Sequence, residues 1–261
     1  MVTALASTVV VVTALGVLVV TSPGWDEFRA SFLDVDLWRS SFPDIARAFG
    51  LNIKIFCISE VLILVLALGI AVIRSLPGPV FFPLRALAIV YTDVFRGLPT
   101  IMVVYVLAFG VPALLLSTAD WYRSQTFWSI IALTLVYSAY VAEVYRAGIQ
   151  SVHPSQEAAA RSLGLSRWQS LRHVILPQAV RRVIPPLLND FIGLQKDTAL
   201  VAVVGPVEAF RQAQIGEAAN FNFSVYVPAS LLFLMLTIPL ARLTDYLIER
   251  DRRRFLAGGG A

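Results

Sequence analysis

The stretch LNIKIFCISEVLILVLALGIAVI, from Leu51 to Ile73, decides the fold. Its only charges are Lys54 and Glu60. A helix rises 1.5 Å per residue, so this stretch reaches about 35 Å, enough for the roughly 30 Å hydrocarbon core of a bilayer. Four more stretches of the same kind follow: Pro99–Leu116, Phe127–Ala147, Pro185–Val204 and Val225–Ile248. Val2–Val20, rich in Val and Thr, is a weaker sixth. The reading is an all-α polytopic membrane protein, with five core transmembrane helices and an extra N-terminal one.

Composition agrees. The 261 residues are 57% hydrophobic and 15% charged, whereas a soluble domain is roughly 45–50% apolar and about 25% charged. One Cys excludes a disulfide within the chain, and with two His no Cys/His metal site is expected. In such a chain a net charge of +4 reports topology rather than nucleic-acid binding. Most of the 21 Lys and Arg fall in connections on one side if the C-terminus is cytoplasmic. That choice places 74–98 and 148–184 inside, and 117–126 and 205–224 outside. Arg250, Arg252, Arg253 and Arg254 form a positive-inside anchor.

The chain divides into three parts. Residues 1–49 hold the N-terminal helix and an extracytoplasmic loop, 50–250 the transmembrane domain, and 251–261 a cytoplasmic tail. No Lys or Arg precedes Arg29, and no small-x-small cleavage site follows Val2–Val20. An uncleaved helix is therefore expected rather than a signal peptide. Trp121 and Tyr122 read as interface aromatics.

The connection 151–177 has helical structure of its own. Pro154 and Ser155 lead into Gln156–Leu163, which is Ala-rich and helical by propensity. Glu157 lies in the first turn, where a carboxylate favours the helix dipole. Gly164 suits the position after a helix end. Ser166, with Gln169 three residues on, makes a capping-box pattern that opens a second helix through Trp168, Leu171 and Ile175 to Pro177. Two short helices with a corner at Gly164 are expected. Such a hairpin serves either as a cap on its own membrane domain or as a docking surface.

Ionisable residues at bilayer depth are functional candidates by default. Glu60 is about 13 Å into its helix. It reads as a partner for Lys196, as a protonated acid bonded to a neighbouring helix, or as a substrate contact. Asn189, Asp190, Gly193, Lys196 and Asp197 share one stripe, expected to line a path or to meet a second chain. Pro185 and Pro186 predict a bent or broken helix entry. Glu143 with Arg146, and Asp93 with Arg96, read as structural ion pairs. His153 and His173 fall on a solvated face of the loop.

Ala158-Ala159-Ala160, Gly164 and Val174-Ile175-Leu176-Pro177 resemble the EAA loop of ABC importer permeases. Val174 replaces Ile, and Glu157 lies one residue before the usual acid, about 100° around the helix. Phe95-Arg96-Gly97 with Tyr91 and Pro99, Tyr140 through Glu143 and Arg146 to Gly148-Ile149, and Lys196-Asp197-Thr198 resemble segments of the polar amino-acid permeases in the same order. The resemblance covers about Gly50 to Ile248. It implies the membrane subunit of an ATP-driven amino-acid importer in the cytoplasmic membrane, not itself an enzyme. No G-x-x-x-x-G-K-[ST] loop is present, so ATP binding falls to a partner and no cofactor is expected on this chain. The implied partners are two ABC ATPase subunits, a second permease chain and an extracytoplasmic amino-acid-binding protein. Glu157, Ala158, Ala159, Ala160, Arg161, Gly164, Leu176 and Pro177 would couple to the ATPase. Asp197, Lys196, Glu60, Asn189, Asp190 and Gln195 are the candidates for the substrate path, and the resemblance points to the Lys196-Asp197-Thr198 triplet. An ion-coupled secondary transporter with Glu60 and Asp197 as relays is the alternative. An integral membrane enzyme lacks a nucleophile, base and metal set.

Overall fold

The computed structural model describes residues 2–115 and 124–258. Trp121 and Tyr122, with most of the connection around them, lie outside the described residues, as do residues 259–261 of the tail. The described residues contain no strand. The helices are α1 (Val2–Val20), α2 (Trp25–Phe32), α3 (Val35–Ser75), α4 (Phe82–Gly97), α5 (Thr100–Tyr105), α6 (Val111–Leu115), α7 (Gln125–Gln150), α8 (Pro154–Ser162), α9 (Arg167–Ser170), α10 (Leu176–Asp197), α11 (Ala209–Asn220) and α12 (Tyr226–Gly258). Single π-helical stretches join α5 to α6 and α9 to α10.

The opening stretch lies within α3, which has 41 residues and reaches about 60 Å. That is twice the hydrocarbon core. The Asp34 side chain caps α3 by accepting from the N–H groups of Asp36 and Leu37. Its first half carries Asp36, Arg39, Asp44 and Arg47, with Arg47 and Asp44 paired at 3.0 Å. Residues 21–49, expected as a loop, are thus mostly helix. α2 is held by aromatic stacking: Phe28 on Phe32, and Phe32 on Phe223 at 5.2 Å.

The span expected at Pro99–Leu116 has a second arm that the sequence reading left as a connection. α4 and Thr100–Leu114 form a pair bent by 108°. The bend falls at Leu98, which is extended (φ −94°, ψ 139°) because a residue before proline is kept out of the helical region.

α10 differs most from expectation. It starts at Leu176 and runs through Pro177, Pro185 and Pro186 to Asp197. Thr198–Val204 then tightens into a 3₁₀-helix ending at Gly205, whose φ of +120° suits glycine. The two prolines do not break it. The carbonyls they leave without donors belong to Arg181 and Arg182, which are exposed. The second helix of the 151–177 connection is therefore not short: it continues into α10. Likewise α12 continues into the first part of the expected tail, as far as Gly258.

Among the described residues, three elements are long and apolar enough to cross a membrane alone, and the bent pair, taken as one span, makes a fourth. α10 is too polar to join them by composition; its mates are α7, α12 and α3. The core centres on α3 and α7, with Ile55, Ile63, Leu133, Val141 and Leu194 buried together. α7 and α10 approach at Gly148, where a Cβ would overlap the Val183 side chain. Cross-links define two ends. Arg74 meets Glu143, and Arg182 donates to the Ser151 carbonyl, on the hairpin side. Asn52 meets Thr198 and Glu208 at the far side.

Candidate functional site

The hairpin α8–α9 matches its sequence signals closely. Pro154 takes the first helical position after the His153 cap. At the other end Gly164 is left-handed, at φ +85°. Its N–H donates to Arg161 O at 3.0 Å, and Leu165 N–H donates to Ala160 O at 3.2 Å. This 6→1 and 5→2 pair closes the helix and makes the corner. The Ser166–Gln169 capping box is present in both directions. Ala160 is buried and Glu157 half-buried, whereas Ala158, Ala159, Arg161, Gly164, Leu176 and Pro177 are exposed. Leu163 and Trp168 stand out at 84% and 67% exposure. His153 and His173 are both exposed.

Beneath the hairpin, Glu143 does more than pair within its helix. It accepts from Arg146, as expected, and from Arg74 of α3 at 2.8 Å. One carboxylate thus ties α3 to α7. Arg96 does not pair with Asp93. It lies 5.7 Å from the Tyr140 ring centroid, a cation–π distance.

The α10 stripe sits at a burial boundary. Asp190, Gly193 and Asp197 form its inner edge, facing α7. The Tyr137 hydroxyl donates to Asp197 Oδ2 at 2.9 Å, and a Cβ at Gly193 would lie 3.2 Å from that hydroxyl. Glycine here admits the tyrosine. Asp190 Oδ2 is buried without a hydrogen-bond partner. Asn189 and Lys196 form the exposed edge. Gln195 is buried and turns to α12, where Thr237 Oγ1 donates to its Oε1 at 2.7 Å. Lys196 instead borders a 420 Å³ groove with Phe210, Tyr226, Phe233 and Thr237. Glu60 is half-buried, within electrostatic reach of Asp190. Among the described residues neither Glu60 nor Lys196 is in an ion pair, so the expected partnership between them is not formed. Sequence reasoning missed Tyr137, Asn52 and Glu208. Tyr137 reads as one more aromatic in an apolar run, and Glu is not a favoured capping residue.

Comparison with known proteins adds the following. A family model described as "Binding-protein-dependent transport system inner membrane component" matches residues 63–253. A probable glutamine ABC transporter permease protein, GlnM of Bacillus subtilis (strain 168), is 39% identical over 192 residues, covering 73% of this chain and 85% of the relative. The glutamate transport system permease protein GluC of Corynebacterium glutamicum is 34% identical, covering 82% and 96%. Among solved structures, an amino acid ABC transporter crystallised with histidines superposes with a TM-score of 0.72 at 28% identity, covering 84% of this chain and 98% of that one. The MetNI methionine ABC transporter in an inward-facing form shares the fold, with a TM-score of 0.61 at 18% identity, covering 79% and 95%.

Proposed function

Because this chain belongs to the family of binding-protein-dependent transport system inner membrane components, we propose a transport step for it built on the hairpin and the α10 stripe. It is a membrane-spanning permease subunit of an ATP-driven ABC importer for amino acids. Relatives named for glutamine and glutamate favour a polar amino acid as cargo.

In this proposal the hairpin side and the C-terminus are cytoplasmic, in line with the basic residues there. Two ABC ATPases close beneath the hairpins of two permease chains, and an extracytoplasmic binding protein delivers the amino acid to the far side. ATP is hydrolysed on the partner chains. α8 enters the ATPase as a rigid body, since Glu157 is half-buried and one residue off the family's acid. α9 continues into α10, so motion at the hairpin reaches Asp190 and Asp197 through one helix. Those carboxylates and Glu60 take the substrate ammonium. Asn189 and Lys196, on the same stripe, take its carboxylate or face the second permease chain. Gln195 acts indirectly, by holding α10 to α12.

One observation carries the coupling role. Leu163 and Trp168 stand exposed at a corner locked by capping hydrogen bonds, beside Arg161 and Arg167. A rigid, basic, apolar knob outside the membrane fits a protein groove better than water. Co-purification tests it. An ABC ATPase should come down with the tagged chain and be lost when Leu163 and Trp168 are both replaced by Asp. Retention of the ATPase by that variant would remove the hairpin from the contact.

A further inference from the structure

At the end of the bundle away from the hairpin, Glu208 is fully buried without belonging to the stripe. It caps α11. Oε1 accepts from Arg211 N–H at 2.7 Å, and Oε2 accepts from Phe210 N–H at 2.9 Å and from Asn52 Nδ2 at 2.8 Å. Asn52, on α3, is buried too. Its Nδ2 also donates to Thr198 Oγ1 at 3.1 Å, and its Oδ1 accepts from Ala209 N–H at 3.0 Å. The Thr198 hydroxyl donates to Gln195 O at 2.7 Å. One carboxylate and one amide therefore join α3, the end of α10 and the start of α11.

Every group facing the Glu208 carboxyl is a donor, so its bonding suits the ionised form. Burial pushes the carboxyl above the usual glutamate value, and the N–H groups of Phe210, Asn52 and Arg211 hold back that rise. A glutamine here must aim its NH₂ either at Arg211 N–H or at Phe210 N–H and Asn52 Nδ2. Each choice sets donor against donor in a site closed to water.

We infer that Glu208 is a latch: through Asn52 and Thr198 it holds the Lys196–Asp197 corner of α10 against α3, and so acts as a positioning residue for transport. The inference rests on the permease reading above. If the corner drifts, ATP is still hydrolysed below while substrate is passed less often. A merely structural role would lower the amount of assembled complex and leave substrate carried per ATP unchanged.

The test uses the whole complex of permease, ATPase and binding protein in proteoliposomes. Uptake of labelled L-glutamine, L-glutamate and L-arginine is measured with ATP hydrolysis in the same vesicles. Glu208→Gln should lower amino acid carried per ATP at least threefold. Thr198→Val, which removes one bond of the latch and keeps the α11 cap, should lower it in the same direction. A wild-type complex that takes up none of the three with ATP overturns the permease reading and the latch with it. A wild-type complex that transports, with the ratio unchanged in Glu208→Gln, overturns the latch alone. Should Glu208→Gln fail to assemble, an unchanged ratio in Thr198→Val overturns it equally.

Discussion

Asp197 is bound by Tyr137 from a helix 60 residues earlier in the chain, with no cation within ion-pair distance among the described residues. Replacing it with Asn keeps the size and removes the charge. Asp197→Asn should therefore leave the complex assembled and cut uptake at least tenfold, read as transport rate per purified complex. Glu143 invites the opposite expectation, a stability effect. Arg74→Ala leaves it paired with Arg146 alone, and the lost charged hydrogen bond should cost about 1–2 kcal/mol, seen as a lower unfolding temperature in detergent. At this scale the sequence was legible where a residue's meaning is local. Arg146 lies one helical turn from Glu143, so that pair could be read from spacing. Arg74 and Tyr137 could not be, because their partners are brought by packing of α3 and α10 on α7, and spacing along the chain carries no trace of it.

Elements show the same division. α8 and its corner follow from Pro154, Gly164, Ser166 and Gln169, since caps are made by neighbours in sequence. Gly164 is also where a side chain is strained: a left-handed φ of +85° costs an L-residue about 1–2 kcal/mol. Gly164→Val should shift the corner and uncouple ATP hydrolysis from uptake, with the protein still inserted in the membrane. Normal amino acid carried per ATP by that variant would count against hairpin coupling. α10 was the element least legible. Its prolines argued for a break, but a helix tolerates the missing donors where the freed carbonyls, at Arg181 and Arg182, lie on an exposed face. The packing of α10 on α3, α7 and α12 is also invisible to a hydropathy window. Gly148 marks where α10 meets α7. Gly148→Leu should overlap Val183 and destabilise the bundle by about 1–3 kcal/mol, and Val183→Ala in the same chain should recover part of it.

Across the whole molecule, the far-side links of Asn52 and the hairpin-side links of Glu143 fix which helix ends share a face. Among the described residues, α3, α7, α12 and the bent pair of α4 with Thr100–Leu114 are the elements apolar enough to span, and α10 packs on α3, α7 and α12. The bend before α5 has a local cause in Pro99, but no local signal shows α4 to be one arm of a bent pair. The hairpin and the carboxylate stripe sit at two places on one continuous helical path, and the proposed mechanism uses that path to link closure of an ATPase below to the stripe above. The most direct test of this account is uptake by the reconstituted complex with ATP supplied or withheld on the hairpin side, and with proton and sodium gradients abolished by ionophores. The account predicts amino acid uptake that requires ATP and survives the ionophores. Uptake that persists without ATP and collapses with the gradients would contradict it.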